Sequence, residues 1–589
     1  MYVMSKKGSK KGGGMGTTLF KKTFAFVLSL AVMLSCLGMP VHAAELDKTL
    51  TVKKVEAGAT VKGYRIVSED NGEWVVANTG VKIKNPSQPT AKEIFDIAKN
   101  ETLLGDLQKI DFASNSSGDY VASNPSAGIY LVLVTPRAGS TGVYTPMIVS
   151  ADYVQDKGGD KSSVLDVKGK DQLTIGSTTY AKKSKPTVSK TFTKPANSNV
   201  AGDAANSGTN KIGDVIDFKI NTAIPLYTSD YTNPKFDISD TLSKGLKLKG
   251  NTVKVYNGEV NDSNLIKEES DYPDGSGSTV KKKNYEITYT ADKAGFKISF
   301  TKDYLLSNAD KSNINVTYKA ELVDVAGTST SGFEPNTNKA EIDYSTSPKT
   351  NDGKDTKKTN HYTFDINGNV GTQLSTTKKK DEIVKVGVDD AGNTQTQTIT
   401  EESVTSEAGK KAGAKFKLYK KDGSIDQTAA AYKKKENKLL VKRGVDASDS
   451  DKVGAEAVTG DDGKIRFKGI DAGEYVLVET QAPTGYAKNE TVVPVVVSAT
   501  LNADGELTSY SVKINNTEAA TYVATYVDHK VKTIIGKYKP LHFNNYKLGT
   551  LPSTGGIGTY LFYIVGAALL AFAVVMIIKK NRNNRVSVK

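Results

Sequence analysis

The chain has 589 residues, 38% of them hydrophobic and 24% charged, with a formal net charge of +14. That is enough apolar material for several packed domains and excludes a disordered chain, while the single cysteine, Cys36, excludes internal disulfides and thiolate metal sites. Six lysines before residue 44 and five basic residues after residue 555 supply eleven of the fourteen charges, so the body between them is close to balanced and offers no electrostatic case for binding nucleic acid.

The N-terminus reads as a secretory signal peptide spanning 1–43. Lys21 and Lys22 precede an apolar run over 24–37, and the small residues of Val41-His42-Ala43 place cleavage after Ala43. Met33-Leu34-Ser35 ahead of Cys36 do not form a lipobox, so the mature chain is expected to lack cysteine.

Downstream, segments of period-two alternation such as 213–220, 285–289, 296–300, 314–320 and 475–479 are separated by clusters of Gly, Asn, Asp and Ser, a pattern that predicts an all-β chain of tandem sandwiches. One helix is predicted over 90–107, capped by Thr90, with Ile94, Ile97, Ala98 and Leu104 at roughly helical spacing. Composition breaks at 182–187 and at the Lys/Asp/Thr-rich stretch 345–358, which reads as a linker. They give three extracellular domains: 44–183, 184–360 and 361–550. An internal repeat links the first and third, since AGIYLVLV at 127–134 aligns with AGEYVLVE at 472–479, and Val134 stands where the second copy has Glu479.

In the second domain, three polar residues fall on predicted inward faces: Lys190 with Val188 and Phe192, Asp240 with Ile238 and Leu242, and Asn338 with Ala340, Ile342 and Tyr344. In the third, Glu479 shares a face with Tyr475 and Leu477, a costly position unless the carboxyl is protonated or paired. An amide for this site is offered by Asn545, with Leu541 and Phe543, or by Asn516, with Val512 and Ile514. An amine is offered by Lys385 or Lys380. The three histidines of the mature chain, His361, His529 and His542, have neither metal nor triad spacing, and no nucleophile elbow surrounds any serine, so neither turnover nor a metal or other cofactor is expected.

The C-terminus carries Leu551-Pro552-Ser553-Thr554-Gly555, then an uncharged apolar run at 557–578, long enough as a helix (about 33 Å) to cross a bilayer, then a basic tail that stays cytoplasmic. This order resembles the cell-wall sorting signal of Gram-positive surface proteins. The stretch YVLVETQAPTGY at 475–486 resembles the E-box of CnaB-type pilin domains, and KPTVSK at 185–190, DTLSKGL at 240–246 and NKAEIDY at 338–344 resemble the signature strands of the central domain of SpaA-type backbone pilins.

The resemblance implies immunoglobulin-like CnaA and CnaB folds with internal isopeptide bonds: Lys190 to Asn338 assisted by Asp240, and a second assisted by Glu479, with Lys385 and Asn545 preferred. It implies a sortase cut between Thr554 and Gly555, with Tyr180-Ala181-Lys182-Lys183 in the place of the pilin motif. That makes Lys182 the intersubunit nucleophile, with Lys183 as the alternative. The strand around Phe364, which resembles the family's opening strand, departs from it by carrying no Lys. The implied partners are pilin-specific and housekeeping sortases, identical subunits, peptidoglycan, and minor tip or base pilins. The expected role is the major subunit of a surface pilus supporting adhesion, and the alternative is a monomeric wall-anchored adhesin for a host matrix ligand.

Overall fold

The computed structural model describes residues 49–586 except 71–72, 152–174, 195, 203, 275, 308–312, 324–332, 349–350, 368–381, 389–412, 442–455, 461–462, 540 and 549–556. The signal peptide, Lys380 and the pentapeptide Leu551 to Gly555 therefore lie outside the described residues. Two compact units result. One takes in the chain to Thr193 with Val215–Glu321 and Thr337–Thr359; the other takes in Lys194–Asp214, Leu322–Asn336 and Asn360 onward. Composition alone does not mark 194–214 or 322–336 as belonging with the third sequence domain.

The N-terminal part of the first unit is a sheet in the order Met147–Ala151, Gly128–Thr135, Thr60–Asp70, Lys109–Ser114, Tyr120–Ser123, Thr49–Lys53, Thr178–Tyr180. Gly128–Thr135 is buried at every position up to Val134, because its alternate residues serve two cores. Tyr130, Val132 and Val134 pack with Leu50, Val61 and Phe112, while Ile129, Leu131 and Leu133 pack with Ile94, Ile97 and Leu104 of the helical segment.

That segment is two helices, not the single one the spacing predicts: Ala91–Ala98 and Glu101–Asp106. The first starts on a capping box in which Thr90 and Glu93 satisfy each other's backbone N–H groups. The break comes at Asn100, whose side chain accepts from Leu103 N (3.0 Å) and so starts a new helix in place of continuing the old one.

The central part has two sheets facing each other across a core. One runs Val188–Phe192, Val215–Ala223, Asn313–Leu322, Leu246–Leu248; the other places Phe236–Leu242 between Asn336–Tyr344 and Gly295–Phe300, with Tyr285–Tyr289 beyond. The stretch read as a linker is in part a strand, Gly353–Tyr362. Its polar side chains face outward over Lys354 to Lys358, a pattern a sheet tolerates because pairing is made by backbone, while Thr359, Asn360 and His361 are buried; Asp355 accepts from Val188 N (2.7 Å).

The second unit is built on a sheet in the order Glu456–Val458, Lys415–Lys420, Gly473–Gln481, Val493–Leu501, Leu507–Ile514, Thr517–Val527, Lys530–Tyr538. Two further pairs complete it: Phe364–Ile366 with Phe467–Ile470, antiparallel, and Ile383–Val388 with Leu541–Tyr546, parallel. The repeat seen in sequence is repeated in structure. Tyr130 Oη donates to Ser126 O (2.8 Å) and Tyr475 Oη to Asp471 O (2.9 Å), the same four-residue reach at the start of equivalent strands. At the end of the chain, Ile557–Val586 is helical, and its candidate membrane span, Phe562–Arg582, contains an 18-residue window of mean hydropathy 2.4 before it ends in basic residues.

Candidate functional site

Two buried clusters each bring together one amine, one amide and one carboxyl. In the central sandwich, Val188–Phe192 alternates buried and exposed, so its middle residue, Lys190, points inward and is 2% exposed. On the facing sheet, Leu242 is opposite Asn338 and Asp240 opposite Ala340, which sets Asp240 and Asn338 diagonally on one inner face.

Lys190 Nζ donates to Asn338 Oδ1 (2.7 Å), to Tyr318 Oη (2.7 Å) and to Asp240 Oδ2. Tyr318 Oη donates to Asp240 Oδ2 (2.8 Å) and accepts from Asn338 Nδ2 (2.9 Å). Phe218 stacks on the Tyr318 ring and Phe296 meets its edge, at centroid distances of 5.2 and 5.0 Å. Burial in this aromatic box pulls the Lys190 amine down to about 8 against the opposing pull of Asp240, and pushes the Asp240 carboxyl up.

The second cluster joins strands far apart in sequence. Lys385 is opposite Phe543 and Gly387 opposite Asn545 in the parallel pair, and Glu479 comes from Gly473–Gln481, an interior strand of the large sheet. Lys385 Nζ donates to Phe543 O (2.8 Å) and to Asn545 Oδ1, and lies 3.9 Å from Glu479 Oε1. Asn545 Nδ2 donates to both Glu479 oxygens (3.0 and 2.9 Å) and to Ala487 O (2.8 Å). Asn489 N donates to Glu479 Oε2 (2.7 Å). Desolvation draws the Lys385 amine down to about 7, with Glu479 opposing it, and raises the Glu479 carboxyl. Burial thus shifts both amines toward the uncharged, nucleophilic form and makes each carboxyl a readier proton acceptor, beside an amide whose oxygen already meets the amine.

Of the alternatives, Asn516 is exposed: it and Asn515 have φ of 62° and 50° and form the turn between Leu507–Ile514 and Thr517–Val527. The alternation from Val512 and Ile514 ends at that turn, and two left-handed residues in a hairpin suit Asn well. The opening strand Phe364–Ile366 contributes no amine; its Asp365 accepts from Gly469 N (2.8 Å). Sequence reasoning missed Tyr318, although it lies on the buried face of Asn313–Leu322.

Lys182 and Lys183 differ sharply. Lys183 Nζ pairs with Glu56 (2.9 Å), bonds Ser140 Oγ and lies over the Tyr144 ring. Lys182 is exposed and its amine has no partner among the described residues, while its carbonyl is held by Thr145 N (2.9 Å). Thr554 lies outside the described residues. The structure also gathers Asp504, Glu506 and His529 within 4.8 Å at the surface, a grouping without local sequence spacing.

Comparison with known proteins gives three matches along the chain: residues 46–184 match the T6 antigen Ig-like domain, 397–518 the SpaA prealbumin-like fold domain, and 544–585 the LPXTG cell wall anchor motif. Over 599 aligned positions the chain is 27% identical to the trypsin-resistant surface T6 protein of Streptococcus pyogenes, covering 93% of this chain and 97% of that one. Among solved structures it is similar to the T6 backbone pilin of S. pyogenes (20% identity, TM-score 0.41, 85% of this chain and 98% of the other) and to the major pilin SpaD of Corynebacterium diphtheriae (17%, 0.36, 85% and 98%).

Proposed function

We propose, from the premise that this chain is an LPXTG-anchored backbone pilin of Gram-positive bacteria, that its subunits are joined from Thr554 of one to Lys182 of the next. The chain is a structural subunit of a sortase-assembled pilus, fixed to the cell wall at the surface. The finer reading comprises three domains, 44–183, 184–360 and 361–550, two of them stapled internally by Lys190–Asn338 and Lys385–Asn545. Pilin-specific and housekeeping sortases are its assembly partners, and it performs no turnover of its own.

The observation that carries the polymer is the exposed amine of Lys182, without a partner among the described residues, on a fixed backbone in a chain that carries a cell-wall anchor motif. Boiled cell-wall extracts should give a ladder of covalent multimers when probed for this chain; one band alone would favour the monomeric adhesin.

The staples form by attack of a neutral lysine Nζ on the asparagine Cγ, with the Nδ2 group leaving as ammonia. The extracellular part should therefore weigh two ammonia equivalents less than its sequence, and Glu479→Ala should restore one of them. A full sequence mass for the wild-type chain would remove both bonds from the reading.

The first domain is expected to carry no such bond. Val134 stands at the Glu479 position, and the buried polar side chains described between 49 and 151 are Ser140 and Ser150, neither an amine nor an amide. Peptide mapping that found a Lys–Asn link within 44–183 would overturn this expectation.

A further inference from the structure

We propose that Tyr318 is a catalytic residue of the Lys190–Asn338 condensation, carrying the proton between Asp240 and the departing amide nitrogen. The proposal rests on the cross-link proposed above and assigns how its leaving group is protonated.

The two clusters solve one geometric problem differently. In the C-terminal cluster the carboxyl reaches the leaving group itself, since Asn545 Nδ2 lies 2.9 and 3.0 Å from the Glu479 oxygens. In the central cluster the shorter Asp240 makes no hydrogen bond to Asn338: its Oδ2 takes Lys190 and Tyr318, and its Oδ1 is buried with no partner among the described residues. Tyr318 Oη fills the gap, 2.8 Å from the Asp240 oxygen and 2.9 Å from Asn338 Nδ2. Aspartate plus a phenol thus covers the distance that glutamate covers alone. The ring between Phe218 and Phe296 has little freedom to leave that position.

The protons balance through this path. Starting from the neutral amine and an ionised Asp240, Nζ bonds to Cγ and the amine passes one proton to Asp240 Oδ2. As the Cγ–Nδ2 bond breaks, Tyr318 gives its hydroxyl proton to Nδ2, which leaves as ammonia, and takes the proton held by Asp240. The products are the Lys190–Asn338 amide, ammonia, and Asp240 and Tyr318 in their starting states. Moving both protons together avoids forming a tyrosinate on a fully buried ring.

The test is Tyr318→Phe in the full chain, with the linked Lys190–Asn338 peptide followed over time after synthesis by denaturing digestion and mass spectrometry. Tyr318→Phe should slow formation by about 10²-fold or more, the scale of a lost general acid–base group. Tyr318→Phe/Asp240→Glu should recover much of the lost linkage, because the longer carboxyl reaches Nδ2 as Glu479 reaches Asn545. A merely structural role for the hydroxyl would not be rescued in this way. Full linkage at the wild-type rate in Tyr318→Phe would overturn the proposal, as would a double variant that stays unlinked while its circular dichroism melt shows it folded. Absence of the linked peptide from the unsubstituted chain is a different result: it removes the cross-link itself and is read from the wild-type control alone.

Discussion

Replacing Lys182 with alanine should abolish the covalent ladder, while Lys183→Ala should leave it in place. An acyl-enzyme is resolved by an amine that is uncharged at the moment of attack, reachable from solvent, and free to be enclosed by the enzyme. Lys183, though reachable from solvent, is neither uncharged nor free. Its ammonium is paired with Glu56 and bonded to Ser140, and the pairing works both ways, since hydrogen bonds from Lys183 and Ser140 hold the Glu56 carboxyl below its ordinary range despite partial burial. To react, Lys183 would have to give up its ion pair with a partly buried carboxylate, leaving Glu56 to Ser140 and Arg137. Lys182 carries no such cost. Its backbone is fixed on both sides, by Ala181 N to Lys53 O (2.8 Å) and by Thr145 N to its own carbonyl (2.9 Å), so an exposed amine projects from a rigid base. Cell-wall extracts of the two single variants and the double variant should be compared by immunoblot. A ladder in Lys182→Ala that disappears only when Lys183 is also replaced would transfer the role to Lys183, and a full ladder in the double variant would remove both.

The central cluster was legible in the sequence because each of its polar residues interrupts an apolar alternation. Lys190, Asp240 and Asn338 each occupy a position where period two demands a buried residue, and burial of an amine, an acid and an amide in one domain is costly unless they meet. Face-counting says which way a side chain points; it does not say which strands will be neighbours. For that reason Lys385 and Asn545, on a parallel pair with no local signal joining 383–388 to 541–546, stood beside rivals in the sequence. Asn516 stands as the second choice to Asn545 because alternation is blind to a turn, and the left-handed pair at 515 and 516 carries it to the surface. Tyr318 escaped notice for the opposite reason: a tyrosine on an inward face is ordinary core, and only the distances from its hydroxyl to three reacting groups distinguish it from Tyr344 or Tyr510. The segment 194–214 joins the second unit through strand pairing and loop bonds, such as Val200 opposite Ala499 and Ile212 N to Gly469 O (2.9 Å), and Phe333 packs on Tyr510, contacts that composition does not encode.

Removing the acceptor of the second cluster should make stability depend on pH where the linked chain does not. Asn545→Ala leaves Lys385 buried as a free amine, and loses a staple closing a loop of well over a hundred residues, worth about 5 kcal/mol on the chain-entropy account. The amine titrates near its ordinary 10.5 in the unfolded chain and at about 7 in the folded one, because burial disfavours the ammonium. Between those values the unfolded state holds a proton that the folded state does not, so stability rises with pH by up to about 1.4 kcal/mol per unit. Below about 7 both states are protonated and this gain is absent; above 10.5 it is complete. Glu479 acts with the opposite sign, because burial raises its carboxyl above the ordinary 4.5 and the folded form then holds a proton that the unfolded one releases. In the linked chain Lys385 is an amide nitrogen and cannot titrate, so the slope should vanish. Chemical denaturation of Asn545→Ala between pH 7.5 and 10 should therefore show a midpoint that climbs with pH. Asn545→Ala/Lys385→Met should show a flat one, since it keeps the apolar volume and discards the proton. A flat profile in Asn545→Ala itself would mean that Lys385 keeps its charge in the folded state, and with it the reason to regard that amine as a nucleophile would be gone.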